Sequence, residues 1–134
     1  MSAATKSPGK RTVLYVEDNE ANRKIVRLLL ANTAYTLIET YDGEAGVAAA
    51  LEHRPDLIIM DIQLPKISGI EAMARIRADA AMASTPIIAI TSFALSGDDQ
   101  KAMAAGATAY LAKPYSPRDL LALIRKILPD AGDR

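Results

Sequence analysis

The chain has 134 residues, of which 16 are basic, 16 acidic and half apolar: the length of one domain, with enough apolar surface for a core. Formal neutrality argues against a chain built mainly to hold nucleic-acid phosphates, and the absence of cysteine excludes thiol catalysis, Cys-ligated zinc and disulfides. The opening 1–11 lacks a signal peptide's apolar segment, and no apolar run approaches the roughly 18–20 residues of a membrane span.

These features predict a soluble, cytoplasmic domain with no membrane insertion and no direct nucleic-acid binding. The expected division is a flexible leader over 1–11, one folded unit over 12–128 and a short tail over 129–134.

In chain order, Thr12–Val16 (TVLYV) reads as a first strand, ended by Glu17, Asp18 and Asn19. A helix pattern follows, with Ala21, Ile25, Leu28, Leu29 and Asn32 as its main face and Val26 and Leu30 beside it. Those two either widen the buried face or dock a partner. Tyr35–Thr40 alternates as a second strand. Asp42 can cap a helix running to about His53, before Arg54 and Pro55. Leu57–Met60 is wholly apolar, as a strand covered on both faces should be. Ser68-Gly69-Ile70-Glu71 is a capping box opening a helix to about Ala78. Pro86–Ile90 is a further buried strand. Ser96 with Asp99 marks another helix start, with Gly106 as its stop. Ala107–Ala112 forms the last strand. Ser116-Pro117-Arg118-Asp119 combines an N-cap, proline at the first helical position and an acid in the first turn, opening a helix to about Leu128. Five strands alternating with five helices predict an α/β fold, a parallel sheet covered on both faces.

In such sheets ligands bind beyond the carboxyl ends of the strands. There the sequence places Glu17 and Asp18, Asp61, Thr91 and Ser92, and Lys113. Singly each is weak evidence, and Asp18 serves equally well as a helix cap. Clustered carboxylates need positive charge between them; Lys113 supplies part, and a hard cation the rest. Mg²⁺ suits, because it uses few protein carboxylates and accepts phosphate oxygens. A carboxylate can also be a nucleophile toward phosphorus, and such transfer depends on positioning and charge neutralisation. Asp61 would then be the acceptor. Lys113 and the Thr91 hydroxyl would serve the phosphoryl oxygens, and the small Ser92 would leave the donor room.

At these residues the chain resembles the receiver domain of bacterial two-component response regulators, from about Thr12 to Leu128. The motifs are VLYVEDNEANR, DLIIMDIQLPKISG, IIAITSFA and AYLAKPYS. The resemblance implies a flavodoxin-like doubly wound sheet with strand order 2-1-3-4-5. It implies Asp61 as phosphoacceptor, Asp18 as a direct Mg²⁺ ligand, Glu17 acting through water, and the Gln63 backbone carbonyl as a further ligand. Lys113 would pair with the phosphoryl group, the Lys113–Pro114 peptide would be cis, and Thr91 and Tyr110 would form the switch. Gln63 and Phe93 would flank the hydrolytic water, with Phe93 shielding the phosphoryl group. The implied partners are a histidine kinase or histidine phosphotransfer protein and a downstream protein target. The chain would not be an enzyme in the ordinary sense, but a phosphoacceptor that assists its own phosphorylation and dephosphorylation. MDIQLPxISG with TSFAxxGD most resembles single-domain regulators of the DivK type. The alternative is a receiver segment of a hybrid histidine kinase or larger regulator.

Competing readings fit less well. An aspartyl-phosphate phosphatase would want a second Asp where Gln63 stands. A flavin or dinucleotide binder would want a Gly- or Ser/Thr-rich loop where Glu17-Asp18-Asn19-Glu20 stands. The single histidine, His53, reads as a surface residue, so the phosphoryl group must come from elsewhere.

Overall fold

The computed structural model describes residues 11–92 and 97–129. Five strands and five helices alternate: β1 Arg11–Val16, α1 Glu20–Ala31, β2 Tyr35–Thr40, α2 Gly43–His53, β3 Leu57–Asp61, α3 Gly69–Arg77, β4 Ile87–Thr91, α4 Asp98–Ala104, β5 Ala109–Ala112 and α5 Pro117–Ile127. A 3-10 turn, Ala80–Met82, joins α3 to β4. All strand pairs are parallel, in the order β2-β1-β3-β4-β5. None of the described helices is long and apolar enough to cross a membrane.

Strand alternation divides the core in two. Val13, Tyr15, Leu57, Ile59, Ile88 and Ile90 face α1 and α5, where they meet Val26, Leu30, Leu120 and Ile124. Leu14, Val16, Ile58, Met60, Ile87 and Ala89 face the other way, against Ala50, Ala72, Met73 and Ala102. The central strands are buried on both sides, which accounts for their unbroken apolar runs.

Side-chain caps explain most helix starts. The side chains of Asp42, Ser68 and Ser116 accept the backbone N–H of Ala45, Glu71 and Asp119 at 2.7, 3.1 and 3.0 Å. At α1 the cap is Asn19, which accepts from Asn22 N–H at 2.9 Å. Asp18 is therefore not the cap. Ser96 lies outside the described residues; α4 starts after Gly97, with no side-chain cap.

The expected face of α1 needs correction. Val26 and Leu30 are the buried residues, 1% and 2% exposed, whereas Ile25 and Leu28 are 48% and 62% exposed. The inward stripe runs through Arg23, Val26 and Leu30. It accommodates a charged residue because the Arg23 guanidinium donates to the Glu17 carbonyl at 2.8 Å and pairs with Glu20. It also lies over the Tyr41 ring, 4.1 Å from its centroid.

Some strand limits also differ. β1 begins at Arg11, and β3 and β4 each run one residue further, to Asp61 and Thr91. β5 begins only at Ala109 because the Ala107 N–H is committed to closing α4.

Candidate functional site

The site lies where β1, β3, β4 and β5 end. Glu17 follows Val13 and Tyr15 on the α1/α5 side of the sheet, and Asp61 follows Leu57 and Ile59 on the same side. Both carboxylates are buried, at 1% and 2% exposure, while Asp18 is exposed beside them. One carboxylate oxygen from each of the three lies within 4.8 Å of the others.

The loop after β3 wraps tightly under Asp61. Gly69 N–H donates to the Ile62 carbonyl at 2.8 Å. A Cβ at Gly69 would stand 2.2 Å from the Asp61 carbonyl oxygen, so only glycine fits. Lys66 Nζ approaches Asp42 at 3.5 Å and holds the same loop to the start of α2.

Every oxygen of the two buried carboxylates has a donor. Asp61 Oδ1 accepts from Gln63 N–H at 2.9 Å and Oδ2 from Lys113 Nζ at 2.9 Å. Glu17 Oε2 accepts from Asn19 N–H at 3.2 Å; Oε1 accepts from Lys113 Nζ at 3.1 Å and from the Tyr15 hydroxyl at 3.4 Å. Burial, then the charge of Asp61, pushes the Glu17 carboxyl above its usual range, and Lys113 only partly offsets this. Burial opposes the Lys113 charge too, but its bonds to Asp61 and Glu17 outweigh that and hold the ammonium above its ordinary pKa. Three carboxylates against one ammonium leave two negative charges, the charge that one divalent cation brings. The donors are all oxygens, which suits a hard cation. The residues fit such an ion.

Thr91 is fully buried at the end of β4, and its Oγ1 has no hydrogen-bond partner among the described residues. Tyr110, on neighbouring β5, is 44% exposed. Because Ala89 pairs with Tyr110 and Thr91 with Ala112, Thr91 and Tyr110 share one face as diagonal neighbours. Ser92 is partly exposed, and the Lys113–Pro114 peptide is cis. Phe93 lies outside the described residues. His53 is at the far end of α2, against Glu52.

Beside Lys113 opens a groove of about 450 Å³ lined by Asn22, Ile25, Lys113, Pro114, Tyr115 and Pro117. Three site neighbours escaped the sequence reading: Tyr15, Tyr115 and Arg23. The first two carried a legible signal, standing two residues before Glu17 and two after Lys113. Burial raises the pKa of both phenols, which stand close to one another.

Comparison with known proteins bears on this geometry. The family model for the response regulator receiver domain matches residues 13–125. The polar-differentiation response regulator DivK of Brucella anthropi is 41% identical over 121 residues, 90% of this chain and 98% of that relative. DivK of Brucella ovis is 40% identical over the same shares. The chemotaxis response regulator CheY4 of Vibrio cholerae superposes with a TM-score of 0.83 at 31% identity, covering 89% of this chain and 99% of that one. The receiver domain of a Pseudomonas aeruginosa sensor histidine kinase, solved with a magnesium ion coordinated in its active-site cleft, gives 0.81 at 35% identity, covering 87% and 96%. The convergent acids, the doubly wound sheet and these relatives agree: the chain belongs to the response regulator receiver domain family.

Proposed function

We propose that the folded unit over 12–128 accepts a phosphoryl group on Asp61 with Mg²⁺ bound, and signals through Thr91 and Tyr110. The observation that carries this reading is the Thr91 hydroxyl, buried without a partner among the described residues, at the end of the strand between those that carry Asp61 and Lys113. An orphaned buried hydroxyl costs stability, and a phosphoryl oxygen on Asp61 would satisfy it.

Asp18, Asp61, the Gln63 carbonyl and, through water, Glu17 would hold the Mg²⁺. When bound, the ion supplies positive charge to the nucleophile and the phosphoryl oxygens. An Asp61 carboxylate oxygen forms the new O–P bond as the donor's N–P bond breaks, and the electron pair leaves with the donor nitrogen. Lys113, freed from Asp61 Oδ2, pairs with one phosphoryl oxygen. Thr91 donates to another. Its inward movement vacates space on the face that Tyr110 shares, so the exposed phenol can turn in. That is a two-state element biased by one group.

The donor is a histidine kinase or histidine phosphotransfer protein. The groove at Lys113 and the exposed Ile25 and Leu28 give it an apolar approach beside the acids. The receiver of a hybrid histidine kinase would use the same chemistry, so no feature of the site favours that second reading.

The test is incubation with a small acyl phosphate and Mg²⁺. Wild-type protein takes up label at Asp61, and Asp61→Asn takes up none. Mg²⁺-dependent labelling of Asp61→Asn at another residue would overturn the assignment.

A further inference from the structure

Tyr15 is a phenol in a part of the core that is mostly aliphatic. It is fully buried among Val13, Leu57, Ile59, Ile88 and Ile90. Burying a hydroxyl there costs free energy that a hydrocarbon of similar shape would not, unless the hydroxyl is hydrogen-bonded. It donates to Glu17 Oε1 at 3.4 Å, with the Tyr115 side chain close by. A carboxylate only accepts. Tyr15 is therefore the donor to Glu17.

The 3.4 Å separation exceeds the 2.7–2.8 Å usual between oxygens. Its cause is on the same atom: Lys113 Nζ, at 3.1 Å, shares Glu17 Oε1. Of these two donors, only the lysine has a flexible stem and partial exposure to solvent; Tyr15 is fixed in the strand. When Lys113 turns toward a phosphoryl oxygen, Glu17 loses its charged partner while remaining buried. The hydroxyl then has Oε1 to itself.

We infer that Tyr15 is a positioning residue that takes over Glu17 from Lys113 when a phosphoryl group arrives. The inference rests on the reading of Glu17, Asp61 and Lys113 given above. The tyrosine touches neither the ion nor the reacting atoms. It acts by keeping the Glu17 carboxylate aimed at the site as the ammonium leaves.

The experiment uses the full chain with Mg²⁺ and beryllofluoride, a stable stand-in for the phosphoryl group. In Tyr15→Phe, affinity for Mg²⁺ alone should fall about 2-fold, because Lys113 still holds Glu17. Affinity for beryllofluoride with Mg²⁺ should fall on the order of 10-fold, the usual scale for partners that orient a ligand. In wild type the Tyr15 hydroxyl proton, followed by NMR, should move downfield on adding beryllofluoride, as its bond shortens. A merely structural tyrosine would lower both affinities alike and leave that proton where it was. Equal beryllofluoride affinity in Tyr15→Phe and wild type, with binding abolished in Asp61→Asn, would overturn the tyrosine role alone. Undiminished binding in Asp61→Asn would overturn the site reading and this inference with it. Should Tyr15→Phe not fold, the wild-type proton decides: no downfield movement overturns the inference.

Discussion

Lys113 Nζ stands 2.9 Å from Asp61 Oδ2 and reaches Glu17 Oε1 with the same ammonium, so one cation joins the ends of β1 and β3. Removing it leaves two buried carboxylates facing each other. Lys113→Met should lower the metal-free stability by about 2–3 kcal/mol, short of the full penalty for breaking a buried pair because water reaches the lysine. It should also tighten Mg²⁺ binding, since a competing charge has gone. Urea midpoints with and without Mg²⁺ check both; a larger loss of stability with Mg²⁺ than without it would refute this account.

Thr91→Val tests the orphaned hydroxyl. The replacement keeps the branched shape and deletes the unpartnered Oγ1, so the resting protein should gain about 1 kcal/mol. Acceptance of the phosphoryl group should slow. Tyr110 should show no change on phosphorylation by amide NMR. A destabilised Thr91→Val protein would mean that the hydroxyl already has a partner.

Arg77 donates from Nε and Nη2 to the Gly106 carbonyl at 3.0 and 2.7 Å, and from Nη1 to the carbonyls of Met82 and Thr85 at 2.8 and 2.6 Å. Burial alone lowers its pKa. Arg77→Met strands the Gly106 and Thr85 carbonyls, while that of Met82 keeps the Thr85 N–H at 3.4 Å, and should cost about 2–4 kcal/mol. Arg77→Lys, which keeps the charge but not the planar fork, should recover less than half of that. Chemical denaturation measures both variants.

Asp42 provides a pH signature away from the site. Its bond from Ala45 N–H, then Lys66, holds its carboxyl below the ordinary value. A depressed folded pKa means the folded state binds fewer protons, so this stabilisation is complete above the unfolded value of about 3.9 and is lost as pH falls through the folded one. Asp42→Ala should cost about 1 kcal/mol at pH 7, a gap that narrows below about pH 4. A gap unchanged down to pH 2 would show that the carboxylate charge plays no part.

Most of the sheet was legible because two-sided burial leaves unbroken apolar runs, as in Leu57–Met60. The caps at Asp42, Ser68 and Ser116 were legible because they are local, each side chain reaching a backbone three residues on. The site could be placed because strand ends converge in any doubly wound sheet. What misled was α1. Ile25, Leu28 and Leu29 look like a buried stripe, and nothing local reveals that Arg23 turns inward. Its partner is the Glu17 carbonyl, an acceptor made available by how β1 ends. Tyr15 and Tyr115 could each be flagged by their spacing from Glu17 and Lys113, but that they meet was hidden for a similar reason: residues 100 positions apart come together only once β5 has brought Lys113 to Glu17.

The two ends of α4 are held unequally, and amide hydrogen exchange should register it. At its close, Gly106 adopts φ 116° and donates to the Met103 carbonyl, while Ala107 N–H returns to Ala102. The Gly106 carbonyl in turn is clasped by Arg77. At its start, Gly97 contributes no side chain to cap the first turn. The helix is only seven residues long, so it should open from its beginning. Amides at 105–107 would exchange slowly, with the core of the sheet. The backbone at 98–101 would exchange through cheap local openings. A partner that reads α4 therefore meets one end that is pre-ordered and one whose ordering draws on the binding free energy itself.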